Sequence, residues 1–142
     1  MKKIIFSMIF MLMPLAAAFA QDVVGKWKLD DGSAIVEVYK SGNAYNGKIV
    51  WLADPTEADG TPAKDLNNPD KALRSRELIG LNMLSGLQAK GNNEYAGGSI
   101  YDPGNGKTYN CSMKVEGDVL KVRGSLDKKG LLGRTMDWFR VK

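Results

Sequence analysis

The 142-residue sequence predicts an all-β fold, an eight-stranded antiparallel up-and-down barrel with one long loop carrying a short helix. Three observations predict it. Apolar and polar residues alternate with a period of two through almost all of the chain after residue 21, turn residues interrupt that alternation about every ten positions, and apolar stripes at helical spacing are nearly absent. Strands that are dry on one side and joined by short hairpins leave exposed edges unless the sheet closes on itself. A two-sheet sandwich is the alternative.

The first twenty residues stand apart from that pattern. "MKKIIFSMIFMLMPLAAAFA" has two lysines, an apolar run from Ile4 to Leu15 and small residues ending in Ala18-Phe19-Ala20, the layout of a secretory signal peptide cleaved after Ala20. The run is too short for a permanent bilayer span and contains Pro14. Gln21 stands where lipid attachment would need a cysteine, so no stable membrane anchor is expected. This divides the chain into a signal peptide, 1–20, and a single barrel domain, 21–142, and predicts a periplasmic or secreted protein. The domain carries eighteen basic against sixteen acidic residues, a net +2. With no long Lys/Arg run, it lacks the electrostatic footprint of a nucleic-acid binder.

Strands are expected at about 22–30, 33–40, 44–53, 80–90, 94–102, 106–116, 118–126 and 131–141. The first carries Gly25 and Trp27, a large aromatic close to the start of the domain. If the barrel closes, the last strand, "GRTMDWFRVK", lies beside the first, so Trp27 plugs one end and Arg140, on the face of Trp138, covers the indole. In the third strand alternation puts Tyr45, Gly47, Ile49 and Trp51 on one face, and in the fourth Leu81, Met83, Leu87 and Ala89. In the seventh it puts Leu120, Val122 and Gly124 on one face and Lys121 and Arg123 on the other. Gly47, Gly97, Gly98 and Gly124 fall inside strands, where sharp bends explain them. Gly47, Gly97 and Ser99 are expected to leave room in the interior, while Trp27, Trp51, Tyr109, Met113 and Trp138 can fill it. Cys111, the one cysteine, alternates inward with Tyr109, Met113 and Val115 and reads as a small core hydrophobe.

The segment from Ala53 to Gly80 departs from the hairpin pattern and is long enough to be a lid or binding loop. Asn68 as cap, Pro69 at the first position and Asp70 in the first turn predict a short helix near 69–76. "DLNNPD" gathers the oxygen donors Asp65, Asn67, Asn68 and Asp70. Pro69 and Asp70 nevertheless fall where a calcium loop needs a ligand and its glycine, so capping is preferred and no metal or other cofactor is expected. "GGSIYDPGNGKTY" is glycine-rich but fits neither nucleotide-loop spacing; a hairpin presenting Tyr101, Asp102, Lys107 and Tyr109 at the barrel rim is expected. There is no histidine, which excludes Ser-His-Asp and Cys-His catalysis.

A Gly-x-Trp on the first strand with an arginine near the end of the last resembles the signature of lipocalins and their calycin relatives. Lipocalins are small secreted barrels that commonly carry apolar ligands, so the resemblance implies a closed end and an open mouth. A second resemblance covers nearly all of the domain. "GKWKLDDG", "GKIVWL", "DGTPAKDLNNPD", "LRSRELIGLNML", "GGSIYDPGNGKTY", "LKVRGSL" and "GRTMDWFR" are similar, in order, to the blocks of a bacterial exported family catalogued as domain-of-unknown-function family 2147. It implies export and a calycin-like barrel, and says nothing of chemistry.

These readings converge on a non-enzymatic envelope protein that binds a small apolar or amphipathic ligand in or at the mouth of the barrel. Candidate ligand-binding residues are Trp51, Asp65, Asn68, Arg74, Tyr101, Asp102, Lys107, Tyr109, Arg134 and Trp138; Gly25, Trp27 and Arg140 form the plug. Two alternatives stay open. One is a solid barrel that contacts an envelope protein or the cell wall, and the other is a histidine-free hydrolase or isomerase using Asp65, Asp102 or Lys107.

Overall fold

A computed structural model describes residues 22–142; the expected signal segment and its cleavage site lie outside the described residues. Eight strands follow in chain order: β1 (Gly25–Lys28), β2 (Ala34–Ser41), β3 (Ala44–Leu52), β4 (Asn82–Gly91), β5 (Glu94–Asp102), β6 (Lys107–Glu116), β7 (Val119–Ser125) and β8 (Gly133–Arg140). Each is antiparallel to the next, and β8 returns to β1, so the sheet is a closed up-and-down barrel. The barrel, not the sandwich, is the fold. The closing seam is short, with Trp27 opposite Arg140 and Lys28 opposite Phe139. By contrast, β6 and β7 pair without interruption from Asn110↔Ser125 to Glu116↔Val119.

Alternation buries one face of every strand. Trp27, Val36, Val38, Ile49, Leu84, Leu87, Ile100, Met113, Val115, Leu120, Val122 and Trp138 form one core cluster inside the barrel. Cys111 belongs to it as expected, and burial alone raises its thiol pKa to about 12. Gly47 leaves no room: a Cβ there would lie 2.8 Å from Val36 Cγ1 and 2.9 Å from Leu84 Cδ1. At Gly98 a Cβ would collide with the Ser85 carbonyl, so glycine is what lets β4 and β5 approach. Among the described residues, the Trp138 indole N–H is the buried side-chain donor without a partner.

Three expectations about faces fail, in strands that carry register irregularities. A register shift between Ile35 and Val36 sets Val36 opposite Ile49 but Ile35 opposite Trp51, so the alternation slips at Val50. Trp51 therefore points outward, 42% exposed, with the Lys28 ammonium 5.1 Å from its ring. In β4 both Leu84 and Leu87 face inward, three residues apart, and Ala89 is exposed. Ser99 pairs with Ser85 on the outer wall, not inside the barrel.

The barrel has two unlike ends. The floor is made by the hairpins at 41–44, 91–94 and 116–119 together with both ends of the domain; the rim is made by the hairpins at 28–34, 102–107 and 125–133 and by the long connection between β3 and β4. The helix expected near 69–76 is reduced to a 3-10 turn, Lys71–Leu73. Asp70 rather than Asn68 caps it, accepting from the Ala72 N–H at 3.0 Å. The turn buries none of its residues, so no packing sustains further helical turns.

Candidate functional site

The long connection is built around one buried carboxylate. Asp65 is fully buried. Its Oδ1 accepts from the Tyr101 hydroxyl at 2.6 Å, and its Oδ2 accepts from Asn68 Nδ2 at 2.8 Å and from Arg76 Nε at 2.9 Å. Tyr101 comes from the outer wall of β5, so these bonds tie the loop to the barrel. Burial alone would raise the Asp65 pKa, but hydrogen bonds from Tyr101, Asn68 and Arg76, with the Arg76 charge, outweigh it and hold it below the ordinary carboxylate value. Burial and the adjacent carboxylate push the Tyr101 hydroxyl the other way, to about 12. The Arg76 guanidinium also lies 5.9 Å from the centre of the Tyr101 ring.

Backbone pairing stiffens the same segment. Asp65 N–H donates to Arg76 O and Leu78 N–H to Ala63 O, both at 2.9 Å, closing a small internal ladder at the Lys64↔Glu77 bridge. Asn68 Oδ1 accepts from the Asp70 N–H at 2.8 Å, and Arg74 Nε donates to Asn68 O at 2.7 Å. Asn67 Nδ2 donates to Pro103 O at 3.0 Å and Gly104 O at 3.2 Å, docking the loop on the β5–β6 hairpin. Gly106 makes that contact sterically feasible. Its φ is +73°, and a Cβ would run into the Asn67 carbonyl.

Between this braced loop and the outer wall of β4, β5 and β6 lies a cleft of about 940 Å³, open to solvent on one side. Ile79, Leu81, Met83 and Tyr101 give it apolar surface; Ser75, Asn82, Ser85, Ser99 and Thr108 give hydroxyls and an amide; Arg76 and Glu77 give charge. A lining of this kind suits a molecule with both an apolar body and a polar group. The open space is thus beside the barrel, while Trp27, Ile49, Leu84, Leu87, Leu120 and Trp138 occupy its interior.

The expected site residues divide accordingly. Asn68 and Tyr101 line the cleft, Asp65 anchors it from behind, and Arg74 braces Asn68. Asp102 is used in the turn, its Oδ1 accepting from the Gly104 N–H at 2.8 Å, and Lys107 is exposed beside it. Tyr109 packs against the core with its hydroxyl accepting from Asn105 Nδ2 at 3.0 Å. Arg134 is exposed at the rim opposite Gly124, and Trp138 is buried near the floor opposite Leu120. Trp51 lies on the outer surface of β3. These last six do not converge with the cleft. Arg76, which completes the carboxylate cluster, is absent from the expected set, although its spacing from Asp65 in a loop held by the Lys64↔Glu77 bridge is what brings it there.

The donor set does not favour a metal ion. Both Asp65 oxygens already accept from N–H or O–H groups, one of them cationic, so a cation would have to displace Arg76. Among the described residues no group of three or more His, Cys, Asp or Glu side chains is placed to hold one.

At the floor the first and last strands meet around Trp27. Trp27 is fully buried, its indole N–H donates to Val23 O at 2.8 Å, and the Arg140 guanidinium lies 4.3 Å over its ring. Arg140 Nη2 donates to Asp22 O at 3.1 Å, and Nε lies 3.3 Å from Asp118 Oδ1. A Cβ at Gly25 would lie 3.8 Å from Arg140 Nη1, in ordinary contact.

No curated protein sequence matches the chain significantly. Among solved structures it is similar to one described as "Protein HP1028 from the human pathogen Helicobacter pylori belongs to the lipocalin family". The TM-score is 0.76 at 26% identity, covering 87% of this chain and 85% of that one, so the barrel is lipocalin-like. The family described as "Uncharacterized protein conserved in bacteria (DUF2147)" matches residues 25–140, nearly the whole barrel from the glycine before Trp27 to the arginine above it, and the chain belongs to that family.

Proposed function

We propose that this chain is a non-enzymatic binding protein of the bacterial envelope, reached by cleavage of residues 1–20, that holds a small amphipathic ligand in the cleft between the long loop and the outer wall of β4–β6. The observation that carries this reading is the Asp65 cluster. It fixes the loop to Tyr101 and so holds the cleft open in advance, which lowers the ordering cost of binding. The lipocalin-like barrel supports a binding role in general. The location of the space favours the flank over the mouth for such a ligand.

Native mass spectrometry of the protein purified from bacterial envelopes, before and after organic extraction, tests it. The expected result is a bound small molecule that extraction removes and that Ser99→Trp, which fills the cleft from β5, excludes without lowering the melting temperature. The filled interior favours, as a second reading, a solid interaction module in the envelope. A clean apo mass for the wild type would select that reading.

A further inference from the structure

The hairpin between β7 and β8, "SLDKKGLLG", is unlike the others. The turns at 41–43, 91–93 and 116–118 consist of small or polar residues, as solvent-facing turns do. This one exposes Leu126, Leu131 and Leu132 at 74%, 76% and 66%. Single exposed leucines are ordinary, but three on one hairpin tip mark a surface that meets something apolar.

The tip is held rigidly in that arrangement. The Asp127 carboxylate accepts from the Leu131 N–H at 3.0 Å and the Leu132 N–H at 2.7 Å. Leu126 N–H donates to Leu132 O, Gly130 N–H to Asp127 O, and Ser125 Oγ to Asp127 O at 2.7 Å. Arg123 reaches across from β7, donating through Nε to Gly130 O at 2.6 Å and through Nη1 to Thr135 Oγ1 at 3.1 Å. These backbone groups are satisfied within the hairpin, so it can leave water without stranding them. The one carboxylate of the tip is spent inward on the Leu131 and Leu132 amides, whereas Lys128, Lys129 and Arg134 are exposed.

We propose that this hairpin docks the protein reversibly on an anionic lipid surface, with Leu126, Leu131 and Leu132 entering the interface and Lys128 and Lys129 meeting headgroup phosphates. Exposed apolar residues interleaved with cations match an interface that is anionic outside and apolar beneath. Long lysine stems allow the ammonium groups to stay at headgroup level while the leucines go deeper. A lysine near an anionic surface contributes several-fold in affinity and each inserted leucine roughly tenfold. No lipid anchor or spanning helix is needed for such contact. This docking is independent of what the flank cleft holds.

Vesicle sedimentation tests it, using protein freed of residues 1–20 so that their apolar run adds no lipid binding, while every described strand is kept. Wild type is expected to bind vesicles containing phosphatidylglycerol, and to bind them ~10-fold more weakly in high salt or when they are pure phosphatidylcholine. Leu126→Ser/Leu131→Ser/Leu132→Ser should lower partitioning by ~100-fold or more at an unchanged melting temperature, since these side chains are solvent-exposed. Lys128→Ala/Lys129→Ala, which leaves every leucine in place, should lower it by ~10-fold and weaken the salt dependence, of which Arg134 keeps a part. Wild-type binding no better than that of the leucine variant would overturn the proposal. So would wild-type self-association without vesicles that the leucine changes abolish, which assigns the tip to a second copy of the chain.

Discussion

The two ends of the barrel solve opposite problems with the same strands. At the floor, short hairpins bring strand ends together over Trp27 and Trp138, both fully buried, and Arg140 lies across the first of them. At the rim the connections lengthen, a carboxylate cluster braces one loop on the outer wall, and a second loop presents leucines to solvent. The floor therefore concentrates apolar burial, which sets global stability. The rim is held by a few directional bonds that can open without unfolding the barrel. This contrast is sharpest at the β1–β8 seam. With only two residue pairs and the bond from the Val141 N–H to Lys26 O there, closure leans on side chains, chiefly the indole of Trp27.

Breaking the floor should have the largest effect. Trp27→Ala removes a fully buried indole and its bond to Val23 O, and is expected to cost about 3 to 5 kcal/mol. For a domain of this size that lowers the melting temperature by roughly 10 to 20 °C in a thermal scan. A drop of a degree or two would mean that the barrel closes without its plug, and the contrast between the ends would lose its basis.

A rim substitution should instead act locally. Asp65→Asn keeps the size but turns an N–H donor toward groups that themselves donate, at a cost of about 1 to 3 kcal/mol. Hydrogen exchange should show amides of the long loop, such as Asp65 and Leu78, exchanging faster while those of β6 and β7 stay protected. Acid should mimic the change. The folded-state pKa of Asp65 lies below its unfolded value near 3.8, so its contribution is complete above that value and is lost as pH falls through the folded pKa. Loop exchange in the wild type should therefore rise below about pH 4, and the Asp65→Asn variant should lack that rise. Equal acceleration in β6 and β7 would show that loop and barrel unfold as one unit.

The floor was more legible in the sequence than the rim, for a physical reason. Strands follow from a period of two and their hairpins from nearby glycines and asparagines, and closure then necessarily places Arg140 beside Trp27. Local pattern is enough for that inference. The irregularities were not legible: the slip at Val50 that turns Trp51 outward, and the doubled step from Leu84 to Leu87, arise from how neighbouring strands fit around a small barrel. The short helix is one 3-10 turn long because its capping residues have no apolar face to hold further turns. Asp65, Asn68 and Tyr101 were each visible as candidates, yet Asp65 and Tyr101 are 36 residues apart and only the folded loop joins them. Arg76 carried no local signal beyond its charge. The flank position of the cleft was not legible: the sequence reading puts Ser99 inside the barrel, whereas Ser85 and Ser99 line its outer wall.

The smallest expected effect concerns the contact that completes the floor. Arg140→Leu keeps an apolar stem beside Trp27 but removes the guanidinium over the ring, its bond to Asp22 O and its pairing with Asp118. The expected loss is about 1 kcal/mol, most of it from the cation over the indole, because Asp118 is largely exposed and an exposed ion pair contributes little. Salt separates the two contributions. Charge pairing at the surface is screened at high ionic strength, whereas a contact at 4.3 Å on a buried ring is screened much less. The difference in denaturation midpoint between wild type and Arg140→Leu should thus persist in ~1 M salt. If it vanished there, Arg140 would be acting on Asp118 and not on Trp27, and the indole would seal the floor by burial and its bond to Val23 alone.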